Sequence, residues 1–335
     1  MDEAAFLLQM GLQMPFFCHE TSLPLFIHGR QGKGRRVCRW RSGSLYCALC
    51  FLLVFITVAL IKNYIDSDYQ FLHWHIPFTT LMPQHVLCVL VPYRDRAAEL
   101  QTFAPYIDAF LERQQVEHKI VVLNQTDELR FNRASLINVG WYEADRLGCD
   151  YLVMHDVDLL PLNINLSYSY PGIGVVRHIS SPQYHPKYSY AKFIGGVLML
   201  TLEDYKMVNG MSNKYWGWGL EDDEFYLRLR DANLTDRMER PLNLTTDRRN
   251  TFRHLHDARV RPRDRFVIGD QRKMSRRRDR STGLDSVKYH IAGRSLLRIG
   301  GVNGTLVSVL HVELHCDMSW TPYCRLPSST KTDLK

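Results

Sequence analysis

Short runs of consecutive apolar residues alternate with helical stretches in the middle of this chain. The apolar runs cover residues 86–91, 119–123 and 151–154. Residues 97–113 carry apolar side chains at helical spacing, and residues 135–147 are expected to form the next helix. Unbroken apolar runs are typical of strands that a sheet buries on both faces. The order strand, helix, strand, helix, strand predicts an α/β fold whose mostly parallel central sheet is flanked by helices.

A longer apolar run, residues 42–61, carries no charge and is long enough to cross a bilayer as a helix. Basic side chains are concentrated before it: Arg30, Lys33, Arg35, Arg36, Arg39 and Arg41. The positive-inside bias predicts a cytosolic tail over residues 1–41 and a transmembrane signal anchor over 42–61. Residues 62–84 are then expected to form a stem, and residues 85–335 a lumenal domain. A cleaved signal peptide is the alternative, but its apolar core is shorter and lies nearer the N-terminus.

Composition and charge place the chain among ordinary globular proteins. It has 335 residues, of which 45% are hydrophobic and 23% charged, with a formal net charge of +7. Residues 259–280 are strongly basic and are expected to form a flexible loop that is either solvated or attracts an acidic partner. The predicted topology places this loop in the lumen, which argues against nucleic-acid binding.

Cysteines beyond the predicted anchor fall into two kinds of surroundings. Cys316 and Cys324 lie in a polar C-terminal stretch, and translocation would expose them to an oxidising compartment. They are the pair for which we predict a disulfide. Cys88 and Cys149 lie in apolar, strand-like contexts, where simple buried thiols explain them.

Polar residues follow the third apolar run, in the sequence His155, Asp156, Val157 and Asp158. Alternation along an extended chain puts Asp156 and Asp158 on the same side, where two carboxylates repel each other unless a cation is near. The end of a buried strand in an α/β sheet is also where ligands bind. One interpretation is a divalent-cation site that holds a phosphate-bearing substrate. The alternative is a pair of turn or cap aspartates, which an isolated Asp-x-Asp would favour because the motif is common, and the motifs downstream then shift the balance to the cation site.

A second pair of possible metal ligands lies downstream, at His254 and His256. If the segment is extended, both imidazoles lie on one face. Imidazoles together with a carboxylate suit a transition ion such as Mn²⁺ better than Mg²⁺, which prefers oxygen ligands. We therefore predict that the two histidines and the Asp-x-Asp motif form one metal site.

Aromatic and arginine side chains follow the first two predicted strands. Pro92, Tyr93, Arg94, Asp95 and Arg96 follow the first strand, and Phe131, Asn132 and Arg133 follow the second. Guanidinium groups pair with phosphate oxygens, and an aromatic ring can pack on a base, so both segments are candidates to bind a nucleotide diphosphate. The alternative is a helix start with solvated charges. The sequence has no Gly-rich dinucleotide fingerprint and no Walker loop.

Candidate sugar-binding and acid–base residues occupy the next part of the chain. Tyr188 and Tyr190 offer flat faces to a sugar ring, and Trp218 lies among glycines in what we expect to be a mobile loop. The three acids Glu221–Asp223 begin a predicted helix. One of them can act as a general base on a hydroxyl. Acidic residues are also favoured at a helix N-terminus by the macrodipole alone, and both explanations can hold together.

Taken in order, these motifs resemble those of the β-1,4-galactosyltransferases. They are VPYRDR (91–96), FNRASLINVG (131–140), HDVDLLP (155–161), GGV (195–197), WGWGLEDDEF (216–225) and FRHLHD (252–257). The resemblance covers roughly residues 85–324. The HLH motif, and Leu220 where other branches have glycine, are similar to the xylosylprotein branch of the family. That branch adds galactose to xylose on proteoglycan core proteins.

The resemblance implies a GT-A-like nucleotide-sugar-binding fold, UDP-galactose as donor, Mn²⁺ as cofactor, and a single-pass type II protein of the Golgi membrane. It assigns the nucleotide sugar to Pro92, Tyr93, Arg94, Asp95, Arg96, Phe131, Asn132, Arg133, Asp156, Val157, Asp158, Trp218 and Arg263. It assigns the acceptor to Tyr188, Tyr190, Trp218, Leu220, Glu221, Asp222 and Asp223. It assigns the metal to Asp158, His254 and His256.

The reaction that the resemblance implies is an inverting displacement in which Asp222 takes the proton of the xylose 4-hydroxyl. One residue departs from the family pattern: Phe193 stands where a tyrosine is common. Its ring still crowds an N-acetyl group on the donor, which favours galactose. Two alternatives remain, a galactosyltransferase acting on N-acetylglucosamine and a membrane-anchored lectin that has kept the fold without the activity.

Overall fold

The computed structural model describes residues 52–63, 85–274 and 277–326. The predicted cytosolic tail, residues 42–51 of the predicted anchor and residues 64–84 of the predicted stem lie outside these ranges. The chain divides into two compact units, Met1–Leu81 and Met82–Lys335. In the first unit, residues 52–63 form helix α1, whose side chains are exposed. No helix within the described ranges has both the length and the apolar character needed to cross a membrane.

The second unit alternates strands and helices along the chain. Its elements are β1 (Leu87–Tyr93), α2 (Ala97–Arg113), β2 (His118–Gln125), α3 (Arg133–Arg146), β3 (Tyr151–His155), β4 (Leu159–Pro161), β5 (Val176–His178), β6 (Val197–Thr201), α4 (Leu202–Met207), α5 (Glu221–Asp231), β7 (Met238–Glu239), α6 (Arg248–Thr251), β8 (Phe252–His254), α7 (Gln271–Met274), β9 (Tyr289–Ile299) and β10 (Thr305–Leu314). The predicted strands and helices correspond to β1, β2, β3, α2 and α3.

Eight of the described strands form one sheet in the order β7-β5-β6-β3-β1-β2-β10-β9. The four central strands β3, β1, β2 and β10 run parallel, whereas β6 pairs antiparallel with both β3 and β5, and β9 pairs antiparallel with β10. The predicted α/β fold is confirmed. The sheet is mixed and mostly parallel, as predicted: four of its seven strand pairs are parallel, including β5 with β7, and β6 and β9 run opposite to the other six described strands.

Alternate residues of β1 pack on opposite faces of the sheet. Leu87, Val89 and Val91 belong to the core under α2, whereas Cys88 and Leu90 belong to the core under α3. All five side chains are fully buried. This two-sided burial explains why the first strand appears in the sequence as an unbroken apolar run.

The strand order reverses direction next to β1, and this reversal positions the functional site. After β1 the chain passes through α2 to β2 on one side, and then through α3 back to β3 on the other side of β1. In open α/β sheets, such a switch point opens a crevice beyond the carboxyl ends of the two diverging strands. The segments that follow β1 and β3 are those in which the sequence predicts nucleotide and metal ligands.

Two disulfides join cysteines of the second unit. Cys316 and Cys324 are bonded, as predicted. Cys88 and Cys149 are also bonded, so the interpretation of this pair as buried thiols is wrong. The parallel pairing of β1 with β3 brings the start of β1 next to the turn that precedes β3, and the two Cα atoms lie 5.8 Å apart. Neighbouring residues in the sequence give no sign of this pairing.

Candidate active site

A cavity of about 980 Å³ opens at the carboxyl ends of β1 and β3. It brings together most of the residues predicted from the sequence: Pro92, Arg94, Asp95, Arg96, Phe131, Arg133, Asp156, Val157, Asp158, Tyr188, Tyr190, Trp218, Leu220, Glu221, Asp222, Asp223, His254, His256 and Arg263. The nucleotide, metal, acceptor and acid–base candidates therefore share one site.

Two predicted nucleotide ligands, Tyr93 and Asn132, are not among the residues that line the cavity. Tyr93 ends β1 and packs against the core under α2. Asn132 is fully buried and caps α3: its side chain accepts a hydrogen bond from the Ser135 amide at 2.9 Å and donates one to the Asn213 carbonyl at 3.0 Å. Its contribution is to fix the backbone that carries Phe131 and Arg133.

Arg94 lines the cavity, yet its guanidinium group is already bound to the protein. It donates to the carbonyl oxygens of Gln125 at 3.2 Å, Leu129 at 2.6 Å and Asp127 at 2.9 Å, and its Nη2 lies 3.3 Å from Asp127 Oδ1. These bonds brace the segment after β1 against the segment after β2.

Two other predicted arginines point their donors at groups inside the cavity. Arg133 donates from Nε to Asp156 Oδ1 at 3.0 Å, forming an ion pair at the end of β3. Arg263 donates from Nη1 to the Tyr188 hydroxyl at 2.5 Å, and its guanidinium lies 4.8 Å from the Trp218 ring centroid. Arg263 therefore bridges Tyr188, which is predicted to bind the acceptor, and Trp218 of the predicted mobile loop.

The predicted metal ligands converge because β4 pairs antiparallel with β8, which places Leu159 opposite His254. Asp158 Oδ2 lies 4.0 Å from His254 Nε2 and 3.7 Å from His256 Nδ1. Two bonds of about 2.1 Å to a common ion keep ligand atoms within about 4.2 Å of each other, so both separations fit a shared cation. Among the described residues, no group of three His, Cys, Asp or Glu side chains is placed to hold a metal ion as it stands, and the predicted ligands approach each other in pairs through Asp158.

The protonation states and hydrogen bonds of Asp158, His254 and His256 also fit a divalent cation. Burial and the neighbouring Asp156 raise the pKa of Asp158 to about 6, against the opposing charges of Arg96, Arg263 and Lys187. Burial lowers the pKa of His254 to about 3, so its imidazole is in the neutral form that binds metals. His256 Nε2 is buried without a hydrogen-bond partner, whereas its Nδ1, the atom nearest Asp158, also lies 3.1 Å from Arg96 Nη1. The chain therefore presents a mixed imidazole and carboxylate donor set suited to Mn²⁺.

The predicted acid–base cluster forms the first turn of α5, after Leu220 with its left-handed φ of 73°. Asp222 faces the turn before β6 so closely that a Cβ on Gly195 would lie 2.5 Å from Asp222 Oδ2. Asp223 accepts a hydrogen bond from the Tyr190 hydroxyl at 3.1 Å. Glycine at position 195 therefore gives Asp222 the room to face the cavity.

Asp222 has the protonation behaviour of a strong carboxylate base. Burial raises its pKa to about 8, the charges of Glu221 and Asp223 add to the rise, and Arg133 opposes it. Burial likewise raises the pKa of Glu221, whose Oε2 has no hydrogen-bond partner. A raised pKa makes the ionised carboxylate a stronger proton acceptor, but at a pKa of about 8 most of the Asp222 carboxyl group is protonated at pH 7, so the base is its ionised fraction.

Sequence reasoning missed several residues that shape this site. His185 lines the cavity, and its ring stacks on Tyr188 with centroids 5.1 Å apart. Arg130, Asp264 and Gln271 join the segment after β2 to the basic loop. Arg130 directly precedes the Phe-Asn-Arg motif, but nothing in the local pattern indicates its distant partners.

Comparison with known proteins supports this description. Family models for the N-terminal region of glycosyl transferase group 7 and for a galactosyltransferase domain match residues 67–171 and 176–255. Xylosylprotein 4-beta-galactosyltransferase of Caenorhabditis elegans is 54% identical over 295 residues, which is 85% of this chain and 96% of that protein. Beta-1,4-galactosyltransferase 7 of Drosophila melanogaster is 51% identical over 240 residues, 72% of this chain and 73% of that protein.

Solved structures agree with the sequence comparison. The crystal structure of a mutant Drosophila beta-1,4-galactosyltransferase 7, in complex with manganese, UDP-Gal and xylobiose, has 49% sequence identity and a TM-score of 0.69. The catalytic domain of the same protein in complex with xylobiose has 50% identity and a TM-score of 0.69. Each match covers 72% of this chain and 100% of the solved chain.

The raised pKa of Asp222 predicts a pH-dependent loss of stability. Between the ordinary value of 3.8 and about 8, the folded protein holds a proton that the unfolded chain releases, so stability falls as pH rises through this window. Asp222→Asn removes this titration. In the metal-free protein, its Tm should match wild type near pH 4 and exceed it increasingly towards pH 8. The exposed Asp236→Asn is the control, and a Tm difference that does not change with pH would contradict the assignment.

The proximity of Asp158 to the imidazoles of His254 and His256 predicts which substitutions weaken Mn²⁺ binding. Asp158→Asn and His256→Ala should each weaken Mn²⁺ binding about tenfold or more, because each removes one donor from the set. Isothermal titration calorimetry with Mn²⁺ alone measures this without reference to activity, and Asp236→Asn is again the control. Wild-type affinity in both variants would place the ion elsewhere.

Proposed function

The chain belongs to the glycosyl transferase group 7 family, the β-1,4-galactosyltransferases, and on that premise we propose its reaction. It transfers galactose from UDP-galactose to the 4-hydroxyl of xylose on proteoglycan core proteins, with Mn²⁺ as cofactor and inversion at the anomeric carbon. The 54% identical relative is named xylosylprotein 4-beta-galactosyltransferase, and a structure of the Drosophila beta-1,4-galactosyltransferase 7 was solved with manganese, UDP-Gal and xylobiose.

The observation that carries this proposal is the position of Asp222 within the cavity. The predicted metal ligands line the same cavity as Asp222, and Tyr190, which is predicted to bind the acceptor, donates a hydrogen bond to the neighbouring Asp223. A base between a nucleotide-sugar site and an acceptor site is the arrangement that direct displacement by a hydroxyl requires.

Each group in the cavity has a defined part in this reaction. A bound Mn²⁺, held by Asp158, His254 and His256, supplies positive charge that stabilises the departing diphosphate. Asp222 accepts the proton of the xylose 4-hydroxyl. Arg263, which reaches over the cavity from the basic loop, adds a second positive charge near the leaving group.

Donor and acceptor selectivity follow from the aromatic residues around Asp222. The Phe193 ring lies against the Gly195 position, with its nearest carbon 2.8 Å from where a Cβ would be. An N-acetyl group on the donor would meet this ring, so galactose is preferred to N-acetylgalactosamine. Around the acceptor position lie Tyr188, Tyr190 and Leu220. Their apolar faces contact a sugar that carries no N-acetyl group, such as xylose.

The test is an acceptor comparison with the purified protein, UDP-galactose and Mn²⁺. A β-xyloside should be galactosylated at its 4-hydroxyl with β stereochemistry, and an N-acetylglucosaminide should be a much poorer acceptor. Asp222→Asn keeps the size of the side chain but cannot accept the proton, so its kcat should fall by about 10²–10⁴-fold.

Tyr188→Ala is the matched contrast to this variant. Loss of a stacking face weakens ground state and transition state alike, so the KM for the xyloside should rise with little change in kcat. UDP affinity, measured separately, should persist in both variants. If the folded Asp222→Asn variant kept a near-normal kcat, the base would be a neighbouring acid instead. If the protein galactosylated N-acetylglucosamine in preference to xylose, the proposed acceptor would be wrong.

We further propose that the protein is a type II membrane protein of the Golgi, anchored by residues 42–61 with its catalytic domain in the lumen. Support comes from the basic residues before this run and from two disulfides, which persist in oxidising compartments. In sealed microsomes, an epitope fused to the C-terminus should resist protease until detergent is added. Digestion of the epitope without detergent would show the opposite topology, with the C-terminus in the cytosol.

A further inference from the structure

Arg130 is a buried arginine that lies outside the main cavity and binds three separate segments. Only 4% of it is exposed, and it is not among the residues that line the site. Its Nε and Nη2 donate to both carboxylate oxygens of Asp264 at 2.7 and 2.8 Å. Its Nη1 donates to Gln271 Oε1 at 2.8 Å and to the Tyr323 carbonyl at 3.0 Å. A bidentate, buried ion pair of this kind has a single well-defined geometry.

The loop that carries Trp218 is held to the same arginine and its partners. The Gly217 amide donates to the Phe131 carbonyl at 2.9 Å, and the Trp218 amide donates to the Asp264 carbonyl at 2.8 Å. Gln271 Nε2 donates to the Trp216 carbonyl at 2.7 Å. A Cβ at position 217 would lie 2.1 Å from the Arg130 Nη2, so only glycine lets this loop pass over the guanidinium group.

These bonds also orient the cations next to the tryptophan ring. Arg263 and Arg265 flank Asp264 in the sequence, and their guanidinium groups lie 4.8 and 4.9 Å from the Trp218 ring centroid. With Asp264 fixed by Arg130, the basic loop and the tryptophan loop form one hydrogen-bonded wall of the cavity. A displacement of the ion pair would move both loops together.

We propose that Arg130 and Asp264 are positioning residues that hold Trp218 and Arg263 over the cavity and so keep water from the donor. The inference rests on the proposed function. In transfer, the bond between the anomeric carbon and UDP breaks, a bond to the xylose oxygen forms, and the hydroxyl proton goes to Asp222. In hydrolysis, water takes the place of xylose, and the products are UDP, galactose and a proton. If the two loops that form this wall are displaced, water reaches the donor and hydrolysis is favoured over transfer.

The experiment compares Asp264→Asn and Arg130→Lys with wild type. Asp264→Asn keeps the side-chain size at a partly exposed position, so it provides a folded variant even if the buried substitution destabilises the protein. The control is Arg177→Lys, which alters an ion pair with Glu239 between β5 and β7, outside the cavity. Thermal melts establish that each variant is folded.

Two measurements report the position of the wall. The ratio of UDP-galactose hydrolysis to xyloside transfer should rise about tenfold in both variants, as expected for loss of a hydrogen bond to a charged group. Trypsin should cleave within residues 259–273 about tenfold faster in both variants, with no change in Arg177→Lys. The KM for the xyloside should rise more than kcat falls, because Asp222 is untouched.

Folded variants with an unchanged hydrolysis-to-transfer ratio and unchanged tryptic cleavage would overturn the proposal. Failure of the proposed function is distinguishable from this result. If wild type transferred no galactose to xylosides, the tryptic assay and the hydrolysis rate would still report whether the ion pair positions the two loops.

Discussion

The crowding of carboxylates in one cavity is the interaction on which the rest of the site depends. Asp156 and Asp158 follow β3, and the first turn of α5 adds three further acids. Carboxylates that share a buried site raise one another's pKa, and each stays ionised only where a cation faces it. Arg133 forms an ion pair with Asp156. The remaining negative charge accounts for both the divalent cation and the basic loop at the rim.

Two different parts of the fold deliver these acids to one place. The reversal of strand order beside β1 brings the end of β3 to the crevice, whereas the acids of α5 arrive at a helix N-terminus, where the macrodipole favours negative charge. The close approach of Asp222 to Gly195 joins the two parts. The fold thus places Asp158, the predicted metal ligand, and Asp222, the proposed base, on different elements, although both face the same cavity.

Much of this arrangement follows from local sequence, and the remainder depends on distant pairing. The apolar runs locate β1, β2 and β3 within two residues, because strands buried on both faces have a distinctive pattern. The order of the outer strands could not be predicted, since antiparallel pairs leave no local trace. The same holds for Arg130 and Asp264, which are 134 positions apart in the sequence, and for Cys88 and Cys149, 61 positions apart.

The bond between Cys88 and Cys149 lies at the amino ends of β1 and β3, whereas the cavity lies at their carboxyl ends. The cross-link therefore restrains the sheet without contributing an atom to the reaction. Expression in a reducing cytoplasm, or handling in dithiothreitol, would remove this restraint while leaving the chemical groups of the cavity in place. The same conditions would also reduce the bond between Cys316 and Cys324, so activity lost in this way should return on refolding with an oxidant rather than on addition of cofactor.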